Sequence, residues 1–346
     1  MSLEKLVREM PKVELHVHLE GSIRPETVLE LARRNGVSLP ANTVDGLREW
    51  YTFRDFPHFV EVYVAVSKCI RTADDLELIA REFLKGQAEQ NILHSEVTYT
   101  ASTIEKYAGI PWADQRDALR RAVAFGEEEL NVSCRFILDI VRQDSAERGE
   151  EIARWALDAP DLVVALGLSG EERLGKAEDH GSAIRKAKEG GLAFVPHAGE
   201  TVGPESIRDC LPFGPARIGH GVRAVEDGKL VAELRDRGIP LEVCPTSNVR
   251  LGVFSSLEEH PFPRLLDEAC VVTINSDDPP MFGTTLSEEF LRCAETFDLS
   301  PDILYTLTMN AVNASLLSPE EKNALRRRVR EEWPDESEDE EEGTEA

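Results

Sequence analysis

Short β-branched runs alternate along the chain with longer stretches whose apolar positions recur at helical spacing. Eight runs read as strands: 13–19 (VELHVHL), 94–100 (HSEVTYT), 132–141 (VSCRFILDIV), 162–169 (LVVALGLS), 192–198 (LAFVPHA), 216–220 (ARIGH), 240–245 (PLEVCP) and 271–276 (VVTINS). Helical spacing is clearest over 73–90, 112–130, 146–157 and 183–189. Eight strands, each followed by helix, predict an α/β fold of the (β/α)8 TIM-barrel type, with an open doubly wound sheet as the structural alternative. About residues 20–92 form a long, largely helical insertion after strand 1. In a barrel it would stand over the C-terminal mouth, as a lid or as a plain flank.

Composition narrows the setting. The longest apolar runs are strand-sized, so no membrane span is expected, and the start lacks the apolar core of a secretory signal. The six cysteines are scattered without a CxxC pair, which fits a reducing, cytoplasmic setting better than a disulfide framework. Net charge is −26, and ten acidic residues lie in 331–346, where no Lys or Arg occurs. Residues 1–332 are expected to form one catalytic domain, and 333–346 an acidic, disordered tail. The body without the tail is still strongly negative and would repel a nucleic-acid polymer, though not a small nucleobase or nucleoside. Neither GxGxxG after the first strand nor a Walker GxxxxGK is present.

Four of the eight histidines, His16, His18, His197 and His220, fall at or near the C-terminal ends of predicted strands, where barrel enzymes build active sites. His16 and His18 share one strand face, about 6.6 Å apart along the backbone, and can converge on one ion. His197 in VPHAGE is followed three residues on by Glu200, and His220 in RIGHG has glycine on either side. Asp277 and Asp278 in NSDDPP are adjacent carboxylates that repel unless a cation or shared proton compensates. Taken singly, each motif has a bland alternative, such as a DDP turn or a buried histidine. Together they meet at the ends of strands 1, 5, 6 and 8, and three imidazoles with a carboxylate suit zinc. Strand 4 ends in GLSGEE without a lysine to bridge a metal pair, so one zinc per chain is expected.

PKVELHVHLEGS, HAGE, RIGHGVR, CPTSN and INSDDPPMFGT occur in that order and resemble the adenosine deaminase family over nearly the whole chain to about Leu317. The resemblance implies a one-zinc (β/α)8 barrel removing the 6-amino group of a purine. It assigns His16, His18, His197 and Asp277 to the metal. Glu200 matches the acid that protonates purine N1, and His220 the residue that orients and helps deprotonate the attacking water. Asp278 matches the group bonded to purine N7, and the Gly170 backbone N–H the contact to N3.

Two departures concern the ribose side. Glu20 stands where members acting on adenosine typically carry an Asp that meets the ribose 5′-hydroxyl, so the resemblance implies that Glu20 binds substrate, and Gly167 stands where their strand 4 carries Asp. The expected substrate is therefore adenosine or a 5′-modified adenosine, with adenine and aminodeoxyfutalosine deaminases as alternatives. A barrel hydrolase of amides or phosphoesters, and a non-catalytic binding barrel, are the readings from other classes. Of the remaining histidines, His58 is expected at a helix flank, His94 within a strand, and His180 and His260 at the surface. Trp50, Tyr51, Phe53, Phe56, Tyr99 and Thr100 are possible pocket residues, and Cys244 is read as packing.

Overall fold

The computed structural model describes residues 1–334. Eight strands, β1 (Lys12–His18), β2 (Ile92–Tyr99), β3 (Ser133–Val141), β4 (Val163–Ser169), β5 (Ala193–Ala198), β6 (Ile218–His220), β7 (Leu241–Val243) and β8 (Val272–Ile274), pair in sequence order. Every pairing is parallel, with helices in the crossovers. A parallel bridge from Val17 to Asp277 brings the chain after β8 back onto β1. The result is a nearly closed (β/α)8 barrel, and the open-sheet alternative is excluded. The last three strands have three residues each and are shorter than their apolar runs.

The β8–β1 seam is closed partly by a side chain. Asn275 Oδ1 accepts from the backbone N–H of both Leu15 (2.9 Å) and His16 (3.1 Å), where the β1 register shifts. Beyond it, Asp277 N donates to His16 O at 3.1 Å and His18 N to Asp277 O at 2.9 Å. The strand carrying the His-x-His pair and the segment carrying the two aspartates are thus locked together by backbone hydrogen bonds.

Inside the barrel, one wall is the small apolar cluster Ile137, Ala165 and Val195. Across from it lies a buried ionic chain. Arg217 pairs with Glu96 at 2.7 Å and with Glu242, and Glu242 Oε2 meets His16 Nδ1 at 2.8 Å. Outside, the helices pack an extensive apolar layer against the sheet.

Between β1 and β2 stand the helices Pro25–Asn35, Val44–Trp50, Phe56–Ser67 and Ala73–Glu89. The last of these is started by Thr72 and Asp75 in a reciprocal capping box. Phe59, on Phe56–Ser67, stacks on Phe282 of the helix after β8 with ring centroids 5.3 Å apart. This fixes Phe56–Ser67 over the mouth. Among the described residues no helix is long and apolar enough to cross a membrane. The tail expected over 333–346 lies outside the described residues apart from its first two.

Candidate active site

His16, His18, His197 and Asp277 are all buried, and one ligand atom from each lies within 4.8 Å of the others. His18 Nε2 is 3.1 Å from His197 Nε2 and 3.3 Å from Asp277 Oδ1, while His16 Nε2 is 3.5 Å from the same oxygen. His16 Nδ1 is taken by Glu242, and its Nε2 has no hydrogen-bond partner. An orphaned buried ring nitrogen facing two other imidazoles and a carboxylate is placed to ligate a cation. His197 is held neutral by burial and by the imidazoles around it, as a ligand must be. The residues present fit a single metal ion.

Local geometry depends on the sequence around each ligand. Gly219 of β6 leaves room for His16: a β-carbon there would stand 2.7 Å from His16 Cε1. His220 and Asp277 both adopt left-handed backbone, φ 59° and 63°, uncommon for residues with side chains. Asp277 Oδ2 accepts from Ser247 Oγ at 2.6 Å. Burial opposes its ionisation, but the adjoining imidazoles of His16 and His18 hold its carboxyl well below the usual range. Asp278 follows the opposite course. Burial and the adjacent Asp277 push its carboxyl well up, and its Oδ1 is buried without a partner.

Glu200 lies just past β5, buried, with Oε2 3.7 Å from His220 Nε2. Burial, then the carboxylates of Asp277 and Glu172, raise it well above the ordinary carboxylate range, which favours its protonated form. Its segment is held by Glu172, whose carboxylate accepts from the backbone N–H of Gly199 (2.8 Å), Glu200 (2.9 Å) and Thr201 (2.8 Å).

These groups face a cavity of about 400 Å3. Its inner end carries His18, His197, Glu200, His220, Asp277 and Asp278, with Ser169 and Gly170 beside them. The helix Phe56–Ser67 contributes an apolar wall of Phe56, Phe59, Val60, Tyr63 and Val64. The remaining lining includes Thr100, Lys106, Asp144 and Arg148. Arg148 is already paired with Glu105 and Glu151, both at 2.6 Å, whereas Asp144 Oδ2 is buried with no partner.

Most of the residues singled out in the sequence meet here. Glu20 does not line the cavity; it is fully buried one layer back, accepting from Thr100 N (3.1 Å) and Tyr63 Oη (3.2 Å). Burial lifts its carboxyl to about 7. Gly167 pairs with Asp139 of β3, and a β-carbon at 167 would stand 2.9 Å from Asp139 Cβ. Asp139 occupies this space and bonds Ser169 Oγ, so the carboxylate absent from strand 4 has a counterpart on the neighbouring strand.

Of the aromatic candidates only Phe56 lines the cavity. Tyr51 packs in the core, Trp50 and Phe53 pack against it, and Tyr99 bonds Gln115 at 2.6 Å. His180 and His260, expected at the surface, are buried: polar partners inside the fold, Arg142 O and Asn248, pay for their desolvation. Cys244 groups with His220 and Asp277, but burial and nearby carboxylates push its thiol well up, which leaves it uncharged. Glu172, Glu242, Asn248 and Asp144 were missed and His260 was misplaced, although Glu172 lies in the GLSGEE stretch, Asn248 in CPTSN and Glu242 in the strand run before it.

A parallel barrel that gathers three imidazoles and an aspartate fit for one cation at its C-terminal mouth, beside a buried glutamate, has the architecture of a metal-dependent amidohydrolase. The sequence model of the family described as adenosine deaminase matches residues 11–332. An aminodeoxyfutalosine deaminase of Streptomyces avermitilis is 39% identical over 319 residues, covering 91% of this chain and 89% of that protein. An adenine deaminase of Chlorobium phaeobacteroides is 34% identical over 321 residues, covering 92% and 96%. The crystal structure of adenine deaminase from Arthrobacter aurescens superposes with a TM-score of 0.89 at 31% identity, covering 93% of this chain and 98% of that one. The chain belongs to the adenosine deaminase family of the amidohydrolase superfamily, hydrolases acting on C–N bonds in the deamination of aminopurines.

Proposed function

We propose that this protein is a zinc-dependent deaminase converting a 6-aminopurine nucleoside, adenosine or a 5′-modified adenosine, to the 6-oxo purine and ammonia. The observation that carries the proposal is the buried Glu200, its acidity weakened, at the same cavity end as the four-donor group of His16, His18, His197 and Asp277. That donor set suits one zinc ion, which when bound would acidify a water to a pKa of about 7.

The chain's own groups supply the rest. Glu200 gives its proton to purine N1, which draws electrons from C6 and opens it to attack. Asp278, kept protonated, donates to N7, and the Gly170 N–H meets N3. His220 and Asp277 hold the attacking water over C6. One water is consumed, and the 6-amino group leaves as ammonia. Glu20 acts through Tyr63, whose ring forms part of the wall.

A nucleoside, in preference to the free base, is favoured by the lining beyond the inner end. Asp144 offers a buried, unpartnered oxygen suited to a sugar hydroxyl, and Lys106 stands exposed beside it. Relatives named adenine deaminase keep the base itself as the second reading.

The test is ammonia release by the zinc-loaded protein from adenine, adenosine, 2′-deoxyadenosine and aminodeoxyfutalosine, with metal content measured in parallel. The expected result is a kcat/KM at least about tenfold higher for a nucleoside than for adenine. Adenine as the fastest substrate would replace the nucleoside assignment, and silence on all four would remove the deaminase.

A further inference from the structure

His220 does not stand alone behind the cavity. Its Nδ1 lies 3.3 Å from Asn248 Nδ2, and Asn248 Oδ1 lies 3.1 Å from His260 Nε2. His260 Nδ1 in turn lies 3.1 Å from the backbone N of Phe262. All three side chains are buried: His220 is 1% exposed, Asn248 0% and His260 2%.

The run has one self-consistent set of hydrogens. A backbone N–H can only donate, so His260 Nδ1 must accept and the ring's hydrogen lies on Nε2. Nε2–H then donates to Asn248, which fixes the amide with oxygen toward His260 and nitrogen toward His220. The amide N–H donates to His220 Nδ1, so the hydrogen of neutral His220 lies on Nε2, the atom facing Glu200 and Asp277. Rotating the Asn248 amide by half a turn would set its N–H against His260 Nε2–H, donor against donor, in a site closed to water. That arrangement leaves two buried donors without an acceptor and is disfavoured.

We infer that Asn248 and His260 are positioning residues that set the tautomer of His220, with the Phe262 amide as the fixed end of the relay. His220 then presents Nε2–H to the cavity as a hydrogen-bond donor. A ring nitrogen already carrying hydrogen cannot take a proton from the attacking water, so His220 orients that water and leaves proton acceptance to the site's carboxylates. This departs from the base role that the family resemblance assigns to it. The inference rests on the deaminase reading for its catalytic consequence, but not for its hydrogen positions.

The deciding experiment is long-range 15N–1H correlation of histidine-labelled, metal-loaded protein, with kcat and KM measured for wild type, His260→Leu, His260→Gln and Asn248→Asp. In the wild type, His220 and His260 are expected to show the Nε2–H pattern. His260→Leu frees the Asn248 amide and Asn248→Asp offers only acceptors, so both should shift His220 to Nδ1–H. Their kcat should fall about 10- to 100-fold with KM within about twofold of wild type and metal content unchanged. His260→Gln restores a donor to Asn248 and should recover kcat to within about threefold of wild type. An Nδ1–H pattern for His220 in the wild type would overturn the inference, whether or not any variant folds. So would a metal-loaded His260→Leu with unchanged kcat. Failure of the deaminase reading would appear separately, as absence of ammonia from wild type with the relay pattern intact.

Discussion

Glu200 and Asp277 are both buried carboxyls at one end of the cavity, yet their acidities move in opposite directions. The neighbouring imidazoles and the Ser247 hydroxyl favour ionised Asp277, whereas Glu200 meets mainly burial and other carboxylates and is raised. Replacing Glu200 by Gln keeps the shape and removes the transferable proton. Glu200→Gln is expected to lower kcat by about 10²- to 10⁴-fold with zinc content unchanged, read from steady-state kinetics and metal analysis. Near-normal turnover would take the acid role away from this residue. Gly219 sets a different limit, since its missing side chain is the space in which His16 turns. Gly219→Ala should push His16 off its orientation and weaken zinc binding about 10- to 100-fold in a chelator competition. Unchanged affinity would show that β6 yields where we expect it to hold.

Among the elements, the short 3-10 turn Glu172–Leu174 after β4 does more than connect. Through the Glu172 carboxylate it gathers three successive backbone amides of the segment that presents Glu200. Glutamine has one acceptor oxygen, so Glu172→Gln leaves at least one of these buried N–H groups facing an amide NH2. Thermal or urea unfolding should show a loss of about 1.5–3 kcal/mol. A fall in kcat/KM of roughly tenfold or more should accompany it, because about 1.4 kcal/mol of lost positioning is a factor of ten. A variant that lost stability but kept full activity would make Glu172 a structural anchor only. The helix Phe56–Ser67 shows the same division of labour, with its Phe59 stacked on Phe282 while the same face walls the cavity.

Across the whole molecule, the ionic chain Glu96–Arg217–Glu242–His16 links the barrel interior to the candidate metal site. Burial works against charge on Glu96, but Arg217 overrides it and brings its carboxyl down to about 2, from an ordinary value of 4.5. A carboxyl depressed in the folded state stabilises fully above its unfolded value. That contribution fades as pH falls from 4.5 toward 2. Glu96→Gln leaves Arg217 with less compensation inside the barrel, and the loss at pH 7 should be about 3–5 kcal/mol. Urea midpoints of both proteins at pH 7, 5, 4 and 3, with chelator present throughout, should show the gap narrowing only below about pH 4.5. A gap independent of pH would mean that the pair's charge is not what the fold uses.

How much of this was legible depends on how far apart the cooperating residues stand. Strand count and order follow from short β-branched runs, and parallel closure follows because each crossover is long enough for a helix. His16, His18, His197, His220, Glu200, Asp277 and Asp278 were visible because the chemistry sits at strand ends and in compact motifs. Asn248 and His260 were not, and a buried histidine in EEHPFP reads from the chain alone as a surface one. Glu20 was placed against substrate by motif position, yet it reaches the cavity through Tyr63 and Thr100. The sequence by itself determined the barrel, the family and the donor set, since periodicity and local motifs carry that information over a few residues. Tertiary structure decided which carboxyl is raised and which lowered, which partners hold His220, and that Asp139 fills the space beside Gly167. Those are properties of burial and of partners drawn from distant strands.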